Sequence, residues 1–337
     1  MIGTLIVDDS ALARDMLRDF LEGDKSFKII AEAADGEEAV EKILSLNPDL
    51  VTLDIQMPKM NGLEVIEAVM KKTSVPIVVI SSHDSAKNAY EATIRGALEF
   101  YSKDIFSRAL HPDKRLEIYE TLKRISGVKA RKAAASVEQA RELPAKRDIR
   151  AVVITASTGG PKALSQVFSL LPGDFPAPVV VVQHNSSGFD KSFAQWLGNY
   201  TTLGVKLAED GELAKPGTVY IAETDRHLAF QKLDGQNCCL RYNNDAPENN
   251  QKPAADVLFR TAAECFGQSV ISVVLTGMGS DGALGTRKIR EAGGITLAQD
   301  EESSLIYGMP KAAAETGCVD MTLPLRRVPE ELVRLTK

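Results

Sequence analysis

The chain reads as an α/β protein of two domains, an N-terminal (β/α)5 unit and a C-terminal doubly wound, mostly parallel sheet with a β-hairpin. Three observations predict this. Short β-rich runs alternate with helical periodicity through the first 105 residues, a stretch rich in Lys, Arg, Ala and Glu follows, and a second apolar series opens at 151. At 337 residues the chain exceeds the usual size of a single domain, and 44% hydrophobic content suffices for two buried cores.

In the first half, the β-rich runs fall at 4–7, 27–32, 49–53, 76–80 and 99–101. Strands alternating with helices predict a parallel sheet covered on both faces. The composition shifts over about 107 to 148, around the AlaArgLysAlaAlaAla run at 130–135, and this predicts a partly helical linker. The boundaries that follow are 1–122 for the first domain, 123–147 for the linker and 148–337 for the second domain. Beyond 150, strands are expected at 151–155, 178–183, 218–222, 270–276 and 295–298, with a hairpin near 226–242.

Composition excludes several function classes. No uninterrupted apolar run approaches the roughly 20 residues of a membrane span, and the start runs into a strand without a charged leader, so a cytoplasmic protein with no membrane insertion is expected. A net charge of -6 argues against nonspecific binding of nucleic acid. Cys238, Cys239, Cys265 and Cys318 lack CxxC spacing and receive no function.

Ligands of open parallel sheets collect at the carboxyl ends of the strands. In the first domain those ends carry Asp8 and Asp9, Asp54, Ser81 and Lys103. Three carboxylates on one edge repel one another unless a cation sits among them, and an oxygen-only ligand set suits Mg2+. Asp54 could then attack a phosphoryl group while Lys103 and the Ser81 hydroxyl meet its oxygens. Taken singly, each is more often a cap, a strand end or a surface charge. Their occurrence at four strand ends favours the phosphoryl site.

These residues resemble a response-regulator receiver, a flavodoxin-like fold, and MetProLysMetAsnGly at 57–62 is similar to the loop after its phospho-accepting Asp. The resemblance implies Asp54 as acceptor, Mg2+ held by Asp8, Asp9, Asp54 and the backbone carbonyl of Gln56, and a switch of Ser81, Lys103 and the aromatic Phe100. Asp104 departs from the pattern, because the family commonly has a Pro there.

In the second domain, Ser157 follows a strand, and Gly159, Gly160 and Pro161 permit a tight turn into a helix. G-x-S-x-G is the related nucleophile elbow, but Thr155 replaces its first glycine. A Gly-rich phosphate loop would need a Lys or acidic partner that is not in place. On the motif alone, a nucleophile and a helix cap are evenly matched. Two further strand ends decide for the nucleophile, for they carry His184 after ValValValValGln and Asp281 within GlyMetGlySerAspGlyAlaLeuGly at 277–285. A serine hydroxyl needs an imidazole to take its proton and a carboxylate to orient that ring. Alone, His184 would read as a core histidine and Asp281 as a turn residue.

AlaSerThrGlyGly (156–160), the GlnHis pair with GlyPheAspLysSerPheAla (188–194), and the 277–285 loop resemble the three signatures of the chemotaxis methylesterase family, CheB, and the similarity covers nearly the whole chain except the linker. The resemblance implies Ser157 as nucleophile, His184 as general base then acid, and Asp281 as its orienter. Thr158 and the backbone amide of Met278 would lie near the oxyanion. It further implies glutamyl methyl esters of methyl-accepting chemoreceptors as substrate, glutamine amides there for some members, activation by a chemotaxis-type histidine kinase through Asp54, and no organic cofactor. His227, in the matched AspArgHisLeu segment, reads as structural, and His83 and His111 as surface residues. A rival from another class is a response regulator whose output domain only binds a receptor or kinase. A DNA-binding output fits less well, because no basic helix-turn-helix pattern occurs after 150.

Overall fold

The computed structural model describes residues 1–82, 86–106, 110–128, 139–140, 148–233 and 237–336. The chain divides into two compact units, Met1–Lys132 and Ala133–Lys337.

The first unit runs β1 (Ile2–Val7), α1 (Ala11–Glu22), β2 (Phe27–Ala33), α2 (Gly36–Leu46), β3 (Leu50–Leu53), α3 (Gly62–Met70), β4 (Ile77–Ser81), α4 (Ala86–Arg95), β5 (Glu99–Ser102) and α5 (Pro112–Ser126). Its strands pair in parallel in the order β2-β1-β3-β4-β5. β3 and β4 are buried throughout, as a strand covered on both faces must be. The helix starts follow their local chemistry: Ser10 and Asp35 accept from backbone N–H groups of the first turns, and Asn61 forms a capping box with Glu64. Phe20, Phe106 and Tyr119 anchor a core in which α1 and α5 meet. That helix reaches Ser126, so the start of the expected linker belongs to the first unit; residues 129–138 and 141–147 lie outside the described residues, as does His83.

The second unit runs β6 (Gln139–Ala140), β7 (Ala151–Ala156), α6 (Gly160–Ser169), β8 (Val179–Gln183), α7 (Asp190–Gly198), β9 (Gly204–Leu207), β10 (Thr218–Ile221), β11 (His227–Lys232), β12 (Cys238–Asn243), α8 (Ala255–Phe266), β13 (Val270–Val274), α9 (Ala283–Glu291), β14 (Ile295–Gln299), α10 (Met309–Glu315), β15 (Met321–Leu323) and α11 (Val328–Thr336). Among the described residues, the large sheet has the order β6-β15-β14-β13-β7-β8-β10-β9, parallel except for β6, and β11 and β12 form the hairpin. The strand order reverses around β7, which lies between β13 and β8. A crevice opens at such a reversal, outside the carboxyl ends of the strands. Every residue of β7, β8, β13 and β14 is buried, and Phe259, Leu258 and Tyr220 belong to the core beneath α8. No helix among the described residues is long and apolar enough to cross a membrane.

Candidate active site

Parallel pairing sets Ser157 beside His184. Ala156 is in register with Gln183, the His184 N–H donates to the Ala156 carbonyl at 3.1 Å, and adjacent strands lie about 4.8 Å apart. Ser157 follows directly on the last residue of β7. It does not cap α6, whose N-cap is Gly159 at φ +77° with no side-chain hydrogen bond, so the helix-cap alternative falls away. Gln183 fixes the turn, its Nε2 donating to the carbonyls of both Ser157 and His184 at 3.0 Å. A Cβ on Gly160 would lie 2.0 Å from Gln183 Oε1, so glycine is required there.

Across the crevice, His184 Nε2 lies 2.9 Å from Asp281 Oδ2, with both side chains almost fully covered. The two residues are 97 positions apart and meet only because β8 and β13 flank β7. Burial would raise the Asp281 pKa, but the hydrogen bond and charge of His184 and the backbone N–H groups of Ala255 and Asp256 outweigh it and hold the carboxyl below its usual range. The ionised carboxylate accepts, so in a neutral ring Nε2 carries the hydrogen. Nδ1, buried and without a hydrogen-bond partner, keeps the lone pair. The carboxylate is thus bonded at Nε2, where chymotrypsin-type triads bond it at Nδ1.

The remaining rim is tied to Ser157 by side chains that motif reading passed over. The Thr276 carbonyl accepts from Ser157 N–H at 3.0 Å, and its hydroxyl lies 3.0 Å from the Thr158 carbonyl while accepting from Ile306 N–H. Gln299 Oε1 in turn accepts from Thr276 N–H at 2.8 Å. Thr158 is buried, and Met278 begins the loop that returns to Asp281. Asp190, inside the 188–194 motif, accepts from the Thr224 N–H and hydroxyl, linking the loop after β8 to that after β10, and burial raises its pKa. A buried polar residue at or just past the end of a largely apolar strand, as Gln183, Thr276 and Gln299 are, is the sequence signal that could have found them. His227 is fully buried with both ring nitrogens bonded, to Ala246 O and Ala254 N–H, and His111 is exposed.

In the first unit, Asp8, Asp9 and Asp54 each bring one carboxylate oxygen to within 4.8 Å of the others. Lys103 Nζ stands 2.7 Å from Asp8 and 2.8 Å from Asp54. Burial pushes the Asp8 carboxyl up against the opposing pull of Lys103, while Lys103 itself is raised, its burial outweighed by bonds to Asp54 and Asp8. The Ser81 hydroxyl is buried with no hydrogen-bond partner at the end of β4. Phe100 is buried edge-on to Tyr90 at 4.7 Å, and Gln56 is exposed in the loop after β3. Where the proline was expected, Asp104 accepts from the Ser102 hydroxyl at 3.2 Å within a single 3-10 turn, Lys103–Phe106.

Comparison with known proteins gives a concordant picture. The family profile described as CheB methylesterase matches residues 152–332, and that described as response regulator receiver domain matches 4–115. A protein-glutamate methylesterase/protein-glutamine glutaminase of Pyrococcus abyssi is 39% identical over 99% of this chain and 93% of its own length. Its namesake in Thermotoga maritima is 39% identical over 99% of this chain and 98% of its own length. The crystal structure of the Thermotoga maritima CheB methylesterase catalytic domain superposes with a TM-score of 0.54 at 44% identity, covering 55% of this chain and 97% of that one.

Proposed function

This chain belongs to the CheB methylesterase family and carries a receiver domain, and from that premise we propose that it is a cytoplasmic, phosphorylation-activated hydrolase of glutamyl methyl esters on chemoreceptors. The observation that carries the reading is the His184–Asp281 pair at 2.9 Å, on the strand end next to the one that bears Ser157, with the other ring nitrogen of His184 buried and unbonded.

Ser157 Oγ attacks the ester carbonyl as His184 Nδ1 takes its proton. The tetrahedral intermediate expels methoxide, which leaves as methanol with that proton, and a glutamyl-serine ester remains. Water, deprotonated by the same nitrogen, releases glutamate and restores the serine. Asp281 stabilises the imidazolium that forms in each half-reaction. The backbone amides at Thr158 and Met278 are the proposed donors to the oxyanion, each contributing about 3 to 4 kcal/mol. A glutamine amide would follow the same path with ammonia leaving, the second activity in the relatives' names.

In the receiver, Asp54 would accept a phosphoryl group from a chemotaxis-type histidine kinase, with Lys103 and Ser81 meeting its oxygens. The oxygen-only cluster of Asp8, Asp9 and Asp54 fits Mg2+, with the Gln56 carbonyl as a further ligand, and the unpartnered Ser81 hydroxyl fits an incoming phosphoryl oxygen. Bound there, the ion would neutralise charge on the transferring phosphoryl group. Phe100 is the proposed switch aromatic.

Methanol release from methylated receptor membranes, with and without a small phosphodonor, tests the function. Release that rises with phosphodonor and disappears in Ser157→Ala is expected. Release unaffected by that substitution would overturn the assignment in favour of a partner-binding output domain.

A further inference from the structure

Helices α8 and α9 both start without a side-chain cap of their own, at Ala254 and at Gly282 with φ +91°. Each borrows one from the other. The first two N–H groups of α8, on Ala255 and Asp256, donate to Asp281 at 2.6 Å and 3.0 Å. The Gly285 N–H in the first turn of α9 donates to Asp256 Oδ1 at 2.6 Å. Asp281 precedes α9 and Asp256 opens α8, so two buried carboxylates cap reciprocally.

Asn249 joins them. Its Nδ2 lies 2.7 Å from Asp256 Oδ2 and 3.5 Å from Asp281 Oδ1, and its backbone takes the left-handed conformation, φ +52°. The helices are in close contact at this point, where a Cβ on Gly285 would come within 2.5 Å of Phe259 Cβ. Burial and the neighbouring Asp281 charge raise the Asp256 pKa, in opposition to the donors it receives from Gly285, Asn249 and Gly282.

We propose that Asp256, clasped by Asn249, is a positioning residue for the esterase reaction: it fixes the carboxylate of Asp281 and adds to the negative field that sets the basicity of His184. The inference rests on the proposed catalytic roles of Ser157, His184 and Asp281. A buried carboxylate linked to Asp281 through Asn249 adds negative charge near the imidazolium that forms, and capping by Asp256 fixes the start of α9, immediately after Asp281. A structural cap alone would move stability but not the titration of the base.

The test uses the full-length protein and two variants. Asp256→Asn keeps volume and an acceptor for Gly285 while removing one charge; Asn249→Ser removes the clasp at constant charge. With methylated receptor membranes, Asp256→Asn should lower kcat about ten- to a hundred-fold with KM little changed, the loss expected of one buried charged hydrogen bond. Its acidic limb of kcat/KM against pH should move down by on the order of half a unit. Asn249→Ser should lower kcat with the limb in place. An Asp256→Asn profile that superposes on wild type, or a lower kcat with an unmoved limb and a reduced melting temperature, would leave only a structural cap and sink the proposal. If Asp256→Asn does not fold, wild-type kcat in Asn249→Ser overturns it instead. Retention of activity in Ser157→Ala would strike at the esterase assignment itself, so the two failures are distinguishable.

Discussion

Gly277 lies flush against Ser157, so close that a Cβ on the glycine would come within 2.8 Å of Ser157 Cβ and 2.4 Å of Met309 Sδ. Its carbonyl accepts from the N–H groups of Gly308 and Met309, and its N–H donates to Ile306, so the loop cannot easily retreat. Gly277→Ala should therefore push Met278 and the turn at Ser157 apart. The expected result is a large fall in kcat with a destabilisation of about 1 to 3 kcal/mol, read from methanol release and urea melts.

Asp281→Asn should damage both catalysis and folding. The amide has one accepting oxygen for donors that now use two, and it favours the wrong imidazole tautomer. A loss of about 10³ to 10⁴ in kcat is expected from the tautomer effect. Losing one of the α8 cap bonds should cost about 1 kcal/mol. Since the folded carboxyl is held below its usual range, its contribution to stability is present above the unfolded pKa and is lost as pH falls through the lower folded value. The variant's stability deficit, measured by urea melts across pH, should accordingly shrink in acid.

In the receiver, Lys103 bridges Asp8 and Asp54. Lys103→Ala should leave the basal esterase rate unchanged, because the proposed catalytic residues sit in the other unit, and abolish its rise on adding phosphodonor. Asp54→Asn should do the same and also eliminate the acid-stable, hydroxylamine-labile acyl phosphate, checked with radiolabelled donor. A response to phosphodonor that persists in Asp54→Asn would place the acceptor elsewhere.

Asp24 links the turn before β2 to α5 through Lys123 at 2.8 Å, and that hydrogen bond, against a smaller burial effect, brings its pKa down to about 2. The folded value is depressed, so the stabilisation is full above the unfolded carboxyl pKa and fades as pH drops from about 4 to 2. Discounted for solvent screening, the pair contributes about 1 kcal/mol at neutral pH. Asp24→Asn should lower receiver stability by that amount at pH 7 and converge with wild type near pH 2, followed by circular dichroism in urea.

The strands whose ends bear the proposed site were legible because they are buried on both faces and read as unbroken β-branched runs: 151–156, 179–183 and 270–274 are apolar almost throughout. β9 and β15 were missed for the opposite reason. Gly204–Leu207 is half-exposed at a sheet edge, and Met321–Leu323 is three residues long, so neither leaves a periodic signal. Among site residues, Ser157, His184 and Asp281 stood out by residue type at strand ends. Asp256 and Asn249 did not, because an Asp near a helix start and an Asn in a loop are ordinary in any sequence.

By itself the amino-acid sequence determined which residues end strands, since hydrophobic period and turn chemistry are properties of a few consecutive positions. Only the tertiary structure decided that β8 and β13 flank β7, that His184 meets Asp281 through Nε2 rather than Nδ1, and that Asp281 caps a helix 26 residues upstream. Those outcomes depend on strand order and helix packing, which bring together groups that no local pattern connects.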